Sequence, residues 1–346
     1  MAGVSAAASI LSAETDRSIG YCVVGLGRIA GHYLAGMKTA KYSRVTALVS
    51  GHRDKAERIA AENQVPASNI YSYDNYDAIA GNKAIDAVII CLPNSMHAEY
   101  TIRAARAGKH VLCEKPMCTT VADGEAMIDA CRKASKKLMI AYRCHYEPMN
   151  LRAVQLIREG RAGTIHTIES ANGFNIQPGE WRLNRKLAGG GPMMDVGIYS
   201  LNACRYLTGE EPASWTGQMS AMDHDGRFNE VEEDLVWSMK FPSGVLATCQ
   251  TSYGVNMPGW FRVRGTKGVI EMSAAFGYQG QHLMARVAGG APIDETSPLR
   301  DPGHFPLETD HLAECIFDGK EPKSPGEEGL RDMRLMMDIY RACGRA

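Results

Sequence analysis

The sequence predicts an α/β protein in two parts: an N-terminal doubly wound parallel sheet, then a C-terminal α+β domain built on a large, mostly antiparallel open sheet. Three observations carry this. Short apolar runs alternate with helical stretches as far as residue 141. A glycine-rich turn follows the first of those runs. From residue 142 onward, after a single helix, strand-like runs succeed one another without helices between them.

The apolar run at 21–24 leads straight into Gly25 and reads as a buried parallel strand feeding a tight turn. A helix is expected over 29–41, a strand over 45–49 and a helix over 55–63. The run 86–91 is a strand stopped by Pro93, and 98–107 a helix ended by Gly108. Residues 110–113 form the next strand. A helix over 120–137 opens on Thr120 with Asp123 three residues later, a capping pair. The strand 138–141 completes the first part. In the second part a helix at 148–159 precedes strands at 165–172, 214–221, 234–240, 245–252, 260–264 and 269–272. Thr266, Lys267 and Gly268 read as a hairpin turn. A helix is expected to begin at Asp310 and His311. The last helix should start with Ser324 as N-cap and Pro325 as first helical residue, placing Leu330, Met333, Met337 and Tyr340 on one face. The expected division is a segment 1–18, a dinucleotide-binding domain 19–141 and a substrate and dimerisation domain 142–346.

A length of 346 residues supports two domains with sizeable cores. Apolar content of 45% and charged content of 22% are ordinary for a globular protein. A net charge of −1 offers no electrostatic footprint for nucleic acid or an acidic membrane. No apolar run approaches the roughly 20 residues that span a bilayer. The first 18 residues lack a basic start, a continuous apolar run and a twin-arginine pair, so they read as a mobile segment rather than a secretion signal. Ten cysteines without a CxxC pair read as reduced, mostly buried thiols of a cytoplasmic protein.

Gly25, Leu26, Gly27, Arg28, Ile29 and Ala30 match GxGxxA between the first strand and first helix. There the first glycine permits the turn and the second lets the backbone approach a pyrophosphate at the helix N-terminus. The end of the second strand then separates NAD from NADP. An acidic residue there would bind a ribose 2′-hydroxyl, but Ser50 and Gly51 occupy the position, followed by Arg53 and Lys55. Two cations and two hydrogen-bonding groups suit a 2′-phosphate, so NADP is the expected cofactor despite Asp54.

Glu114, Lys115 and Pro116 follow a strand at its carboxyl end, where ligands of open α/β sheets bind. The run Gly189-Gly190-Gly191-Pro192-Met193-Met194-Asp195-Val196-Gly197-Ile198-Tyr199 is a flexible turn into a helix, with Asp195 and Tyr199 four apart on one face. Hydride transfer from an alcohol carbon needs a group to take the hydroxyl proton. A lysine cation beside a tyrosine would lower its pKa from about 10 and bind the substrate hydroxyl. Spacing alone also allows a surface lysine, a capping aspartate and a half-buried tyrosine. The stretch Asp223-His224-Asp225 reads as a solvated loop, and no metal is expected.

Together, GxGxxA, EKP and GGGxxxDxGxY resemble the glucose-fructose oxidoreductase, inositol dehydrogenase and MocA (Gfo/Idh/MocA) family over nearly the whole chain, 21–340. The segments LVSG, LPNSMHAEY, AGKHV, CEKPM, KKLMIAYRCHYEPMN, KLAGGG, TGEEP and SPGEEG are similar to its branch of glucose-fructose and aldose-aldose oxidoreductases. The resemblance implies an active site between the two domains. Lys115 would bond the reacting sugar hydroxyl, Tyr199 would be the acid/base, Asp195 would orient substrate, and a cis peptide would aim Lys115. It implies cofactor contacts from Ser50 and Lys55 at the 2′-phosphate, and from Tyr73, Leu92, Pro93, Asn94 and His97 along the ribose and pyrophosphate. Glu114 and Lys115 would lie by the nicotinamide ribose, with Arg143, Trp181, Arg182 and Tyr278 toward the nicotinamide. The implied activity is oxidation of a cyclic aldose at C1 to the lactone, with the hydride passed through bound NADP to a second sugar that becomes an alditol. A conventional NADP-dependent aldose or trans-dihydrodiol dehydrogenase, and a non-catalytic NADP sensor, remain alternatives. Small-molecule sugars and a second copy of the chain, most simply a dimer, are the expected partners. Exported members of that branch carry a proline-rich arm; residues 1–18 hold no proline, and the cytoplasm is the expected location.

Overall fold

The structure, a computed structural model, describes residues 17–345, so the segment expected to be mobile falls outside the described residues except for Arg17 and Ser18. Strands β1 (Ile19–Val24), β2 (Ser43–Val49), β3 (Ile70–Tyr71), β4 (Ala87–Ile90), β5 (His110–Glu114) and β6 (Leu138–Ala141) form a parallel sheet in the order β3-β2-β1-β4-β5-β6. Every residue of β1 and β4 is buried, which is why they read as continuous apolar runs. Helices α1 (Arg28–Gly36), α2 (Arg53–Glu62), α3 (His97–Arg106) and α4 (Val121–Lys133) connect them. Thr120 caps α4, its hydroxyl accepting from the Asp123 amide at 3.1 Å. The strand order reverses at β1 and β4, so the carboxyl ends that precede Gly25, Ser50, Cys91 and Lys115 open onto one crevice.

The second sheet holds β7 (Ile165–Gly173), β8 (Ser214–Ser220), β9 (Asp234–Lys240), β10 (Leu246–Ser252), β11 (Met257–Gly265), β12 (Gly268–Ser273), β13 (His282–Val287) and β14 (Ile293–Thr296). Their order is β14-β13-β12-β11-β7-β10-β9-β8, antiparallel except where β7 pairs with β10. The expected hairpin joins β11 to β12, with Gly265 opposite Gly268. Helices α5 (Pro148–Arg158) and α7 (Ile198–Thr208) lie against the sheet, and a short α6 (Arg185–Ala188) lies near the crevice. Alternation is plain in β9, where Leu235, Trp237 and Met239 are buried and Val236 is exposed.

Two helix starts differ from expectation. Helix α8 runs His304–Asp318, so Asp310 is in its middle. The Asp310 carboxylate accepts from the amides of Lys41 and Tyr42 and the Ser43 hydroxyl, holding α8 to β2. Helix α9 runs Gly326–Ala342 with Pro325 as its N-cap. Ser324 stands outside it: its hydroxyl donates to the Ile140 carbonyl at 2.7 Å and its carbonyl accepts from the Ile140 amide at 2.8 Å, fastening the helix to β6. Helix α8 packs on α1, and α9 on α4 and β6. One apolar core includes Val24, Val88 and Ile140 of the first sheet and Trp237, Phe261 and Ile270 of the second. Shared packing of that kind fixes the crevice between the sheets. No helix among the described residues is long and apolar enough to cross a membrane.

Candidate active site

A cleft of about 880 Å³ runs from the glycine turn to the end of β7 and the turn before α7. At its outer end Gly25 has φ +85°, and a Cβ there would come within 2.7 Å of the Cys91 carbonyl. A Cβ on Gly27 would meet nothing within 4 Å, so the groove is open above the first amides of α1. No side chain caps that nine-residue helix. Uncapped amides at a helix start, with a glycine left open beside them, suit a phosphate anion. Leu26, Arg28 and Ile29 line the groove. Arg28 reaches across it, donating to both carboxylate oxygens of Glu180 at 2.7 Å.

Beyond β2, Ser50, Gly51 and Lys55 line the cleft. The Ser50 hydroxyl accepts from the His52 amide at 3.0 Å, and Lys55 forms no ion pair among the described residues. Arg53, expected beside them, does not line the cleft. It pairs with Glu57 one helical turn on, at 2.7 Å, and donates to the Ile70 carbonyl at 3.3 Å. Asp54 does not line the cleft either. Along the middle lie Tyr73, Leu92, Pro93, Asn94 and His97. Asn94 donates to the Ala188 carbonyl at 2.9 Å. The His97 ring nitrogens lie 2.9 Å from the Leu92 carbonyl and 2.8 Å from that of Pro116, so the ring staples the turn after β4 to the turn after β5. These residues fit a dinucleotide carrying a 2′-phosphate: an open helix start for the pyrophosphate, and an unpaired lysine with no cleft-facing acid where that phosphate would sit.

At the inner end the Lys115–Pro116 peptide is cis. Glu114 is buried and accepts from the Tyr33 hydroxyl at 2.9 Å. The Lys115 ammonium donates to the Asp195 carbonyl at 2.7 Å and lies 3.3 Å from its carboxylate. The Asp195 carboxylate also receives Arg182 at 2.9 Å and the Tyr253 hydroxyl at 2.8 Å. Burial alone would raise its pKa, but Arg182, Lys115 and Tyr253 outweigh burial and hold it at about 2. The turn expected to begin an α-helix is instead a π-helical turn, Met193–Gly197, running into α7. Asp195 and Tyr199 both reach the cleft from it. Their lysine neighbour is arranged differently from expectation. Lys115 is committed to Asp195 and lies over the Tyr199 ring face, 4.7 Å from the centroid. Burial pushes the Tyr199 phenol up, and the cation that most opposes this is Arg143. Arg143, Trp181, Arg182 and Tyr278 all line this end.

Sequence reasoning missed several residues of the site. Tyr253 and Glu180 hold Asp195 and Arg28, and Asn172 at the end of β7 also faces the cleft. They come from the ends of two central strands, β7 and β10, and from a loop, none of which carries a motif. Glu232 was missed too: its buried carboxylate accepts from the Gly191 amide at 3.1 Å and the Tyr340 hydroxyl at 2.6 Å, anchoring the start of the π turn. Asp223 and Asp225 both pair with Arg227.

Comparison with known proteins agrees with this layout. Residues 19–142 match the oxidoreductase family, NAD-binding Rossmann fold, and residues 150–271 match the GFO/IDH/MocA C-terminal domain. The crystal structure of an aldose-aldose oxidoreductase from Caulobacter crescentus, complexed with glycerol, superposes with a TM-score of 0.91 at 45% identity, covering 95% of this chain and 98% of that one. A D-xylose 1-dehydrogenase [NADP(+)] of Haloarcula marismortui is 30% identical over 95% of this chain and 92% of its own. A trans-1,2-dihydrobenzene-1,2-diol dehydrogenase of Danio rerio is 24% identical over 92% of this chain and 93% of its own. With a Rossmann sheet, an open antiparallel sheet and a cleft between them that gathers the glycine turn, the lysine of EKP and the aspartate and tyrosine near residue 195, the chain belongs to the Gfo/Idh/MocA oxidoreductase family.

Proposed function

We propose that the protein oxidises a cyclic aldose at C1 to the aldonolactone and uses the same bound NADP(H) to reduce a second sugar to an alditol. The observation that carries this is the meeting of Lys115, Asp195 and Tyr199 at the inner end of a cleft whose outer end offers an open helix start and a free Lys55. NADP, when bound, supplies the hydride acceptor and, once reduced, the hydride donor. Lys115, held by Asp195, bonds the reacting hydroxyl. Tyr199 takes the proton from that hydroxyl as the lactone forms and returns it to the carbonyl oxygen of the second sugar. The aldose-aldose oxidoreductase of Caulobacter crescentus supports an aldose as the first substrate, and the NADP-dependent D-xylose dehydrogenase of Haloarcula marismortui supports both an aldose and NADP. Eight of the ten cysteines are buried, which suits reduced thiols packed as small apolar side chains in a cytoplasmic protein. The exposed Val236, Leu246 and Met284 on the open sheet support a homodimer through that face.

The test supplies two aldoses, without added NADP, to protein purified with its nicotinamide bound. Lactone and alditol in equal amounts are expected. Turnover only with added NADP would make the protein a conventional aldose dehydrogenase. Full activity in both Tyr199→Phe and Lys115→Ala would remove the catalytic assignment.

A further inference from the structure

We infer that Arg143 is the charge that readies Tyr199 to carry the proton, leaving Lys115 to grip the substrate. The inference rests on the reading of Tyr199 as acid/base given above. Arg143 opens the short helical turn Arg143–His145 just after β6 and is 5% exposed. Its guanidinium carbon lies 4.4 Å from the Tyr278 ring centroid and 5.0 Å from that of Tyr199. Its terminal nitrogens donate to the carbonyls of Gly277, at 2.6 Å, and Phe276. Its Nε is buried without a partner, and no carboxylate pairs with it among the described residues. A guanidinium keeps its proton in any protein setting. Here it is stabilised by two carbonyl dipoles and two ring faces rather than by an anion in contact.

Lys115 is the obvious competitor for this role. Its charge is met by the Asp195 carboxylate, and it sits over the ring rather than being left unpaired. The other groups facing Tyr199 are Cys144 from the turn after β6, Glu114 from the end of β5, and Phe276 and Tyr278 from the segment between β12 and β13. Glu114 opposes formation of a phenolate, and Cys144 brings no cation. Arg143 is therefore the cation near Tyr199 that lacks a contacting anion. An unneutralised positive charge in a buried site favours the ionised phenol. Arg143 also holds Phe276, which stacks on Tyr199 with centroids 5.6 Å apart, so it is a positioning residue in both senses.

Two variants separate charge from shape. Arg143→Gln keeps a donor for the carbonyls and loses the charge; Arg143→Lys keeps the charge. In NADP-loaded enzyme labelled with carbon-13 at the tyrosine ζ position, the signal lost in Tyr199→Phe reports this phenol directly. The expected result is a titration midpoint at least about one pH unit higher in Arg143→Gln, with Arg143→Lys close to the parent. The acid limb of kcat/KM for aldose oxidation should move by the same amount, about tenfold in rate below the midpoint, with KM nearly unchanged. A Tyr199 midpoint that stays put in Arg143→Gln would overturn the inference, and so would equal shifts in both variants. Undiminished turnover by Tyr199→Phe would instead remove the reading on which it rests, whatever the midpoints do.

Discussion

Lys55 and Arg53 stand two residues apart at the start of α2, and only Lys55 faces the cleft. The sequence offered both as partners for a 2′-phosphate. The competing partner, Glu57, was equally visible four residues beyond Arg53, and the helical pair wins because α2 begins at Arg53 itself. Lys55→Ala should weaken NADP binding about tenfold and leave NAD binding unchanged, the scale of one charge-assisted hydrogen bond. Arg53→Ala should alter neither, and fluorescence titration with both dinucleotides reads the contrast. Asp195 supports a second residue-scale prediction. Its carboxyl sits at about 2 in the folded protein, below the ordinary value near 3.9. Stability from this group is thus present above about pH 4 and drains away as the pH falls toward 2. Asp195→Asn should cost on the order of 2 kcal/mol at neutral pH, a deficit that shrinks below about pH 4 and closes only below about pH 2. Unfolding curves across that range would show the two proteins converging.

The turn from Gly189 to Gly197 shows what an element can hide. Gly-Gly-Gly-Pro reads as a loose entry to a helix, but only Gly189 of the three takes a left-handed conformation, φ +82°. Gly191 is there for space, since a Cβ on it would sit 2.4 Å from the Glu232 carbonyl. Gly191→Ala should therefore destabilise the protein by more than about 1 kcal/mol. It should also lower kcat by displacing Asp195 and Tyr199, which leave the same turn. Parent-like unfolding and turnover would show that Glu232 does not set the π turn. Elsewhere apolar periodicity made most elements legible: the strands of the parallel sheet were expected within a few residues, save the two-residue β3. The edge strand β14 was missed because it exposes Asp294, Glu295 and Thr296 and so carries little pattern; its neighbour β13 was missed although Leu283, Ala285 and Val287 alternate with Met284 and Arg286. The π turn was illegible because its width is set by tertiary partners, Glu232 among them, not by its own residues.

At the scale of the whole molecule, the site exists because two sheets share one core and the last two helices return to the first sheet. Chain order could not show that return, since an amphipathic helix does not say which face it will cover. Nor could it show that the two halves touch across the cleft mouth. Arg28, in the glycine turn, holds Glu180, which precedes the Trp181–Leu183 turn of the second half. Glu180 lies 3.6 Å from Arg182, and Arg182 bonds Asp195, so a line of alternating charges links the phosphate end of the groove to Lys115. A dinucleotide lying in the groove would have to leave past the Arg28–Glu180 pair. The pair is exposed, with 76% of the Arg28 side chain accessible, so its strength is at most about 1 kcal/mol. Glu180→Ala should accordingly speed NADP release, by up to about fivefold. Added salt should speed release from both proteins, because it screens the Lys55–phosphate contact, and speed it more in the parent, where it screens the Arg28–Glu180 pair as well. Displacement of bound NADPH by excess unlabelled cofactor, followed by fluorescence at low and high ionic strength, measures both effects. Equal release from the two proteins at low salt would mean that the cleft is held shut by the shared apolar core alone.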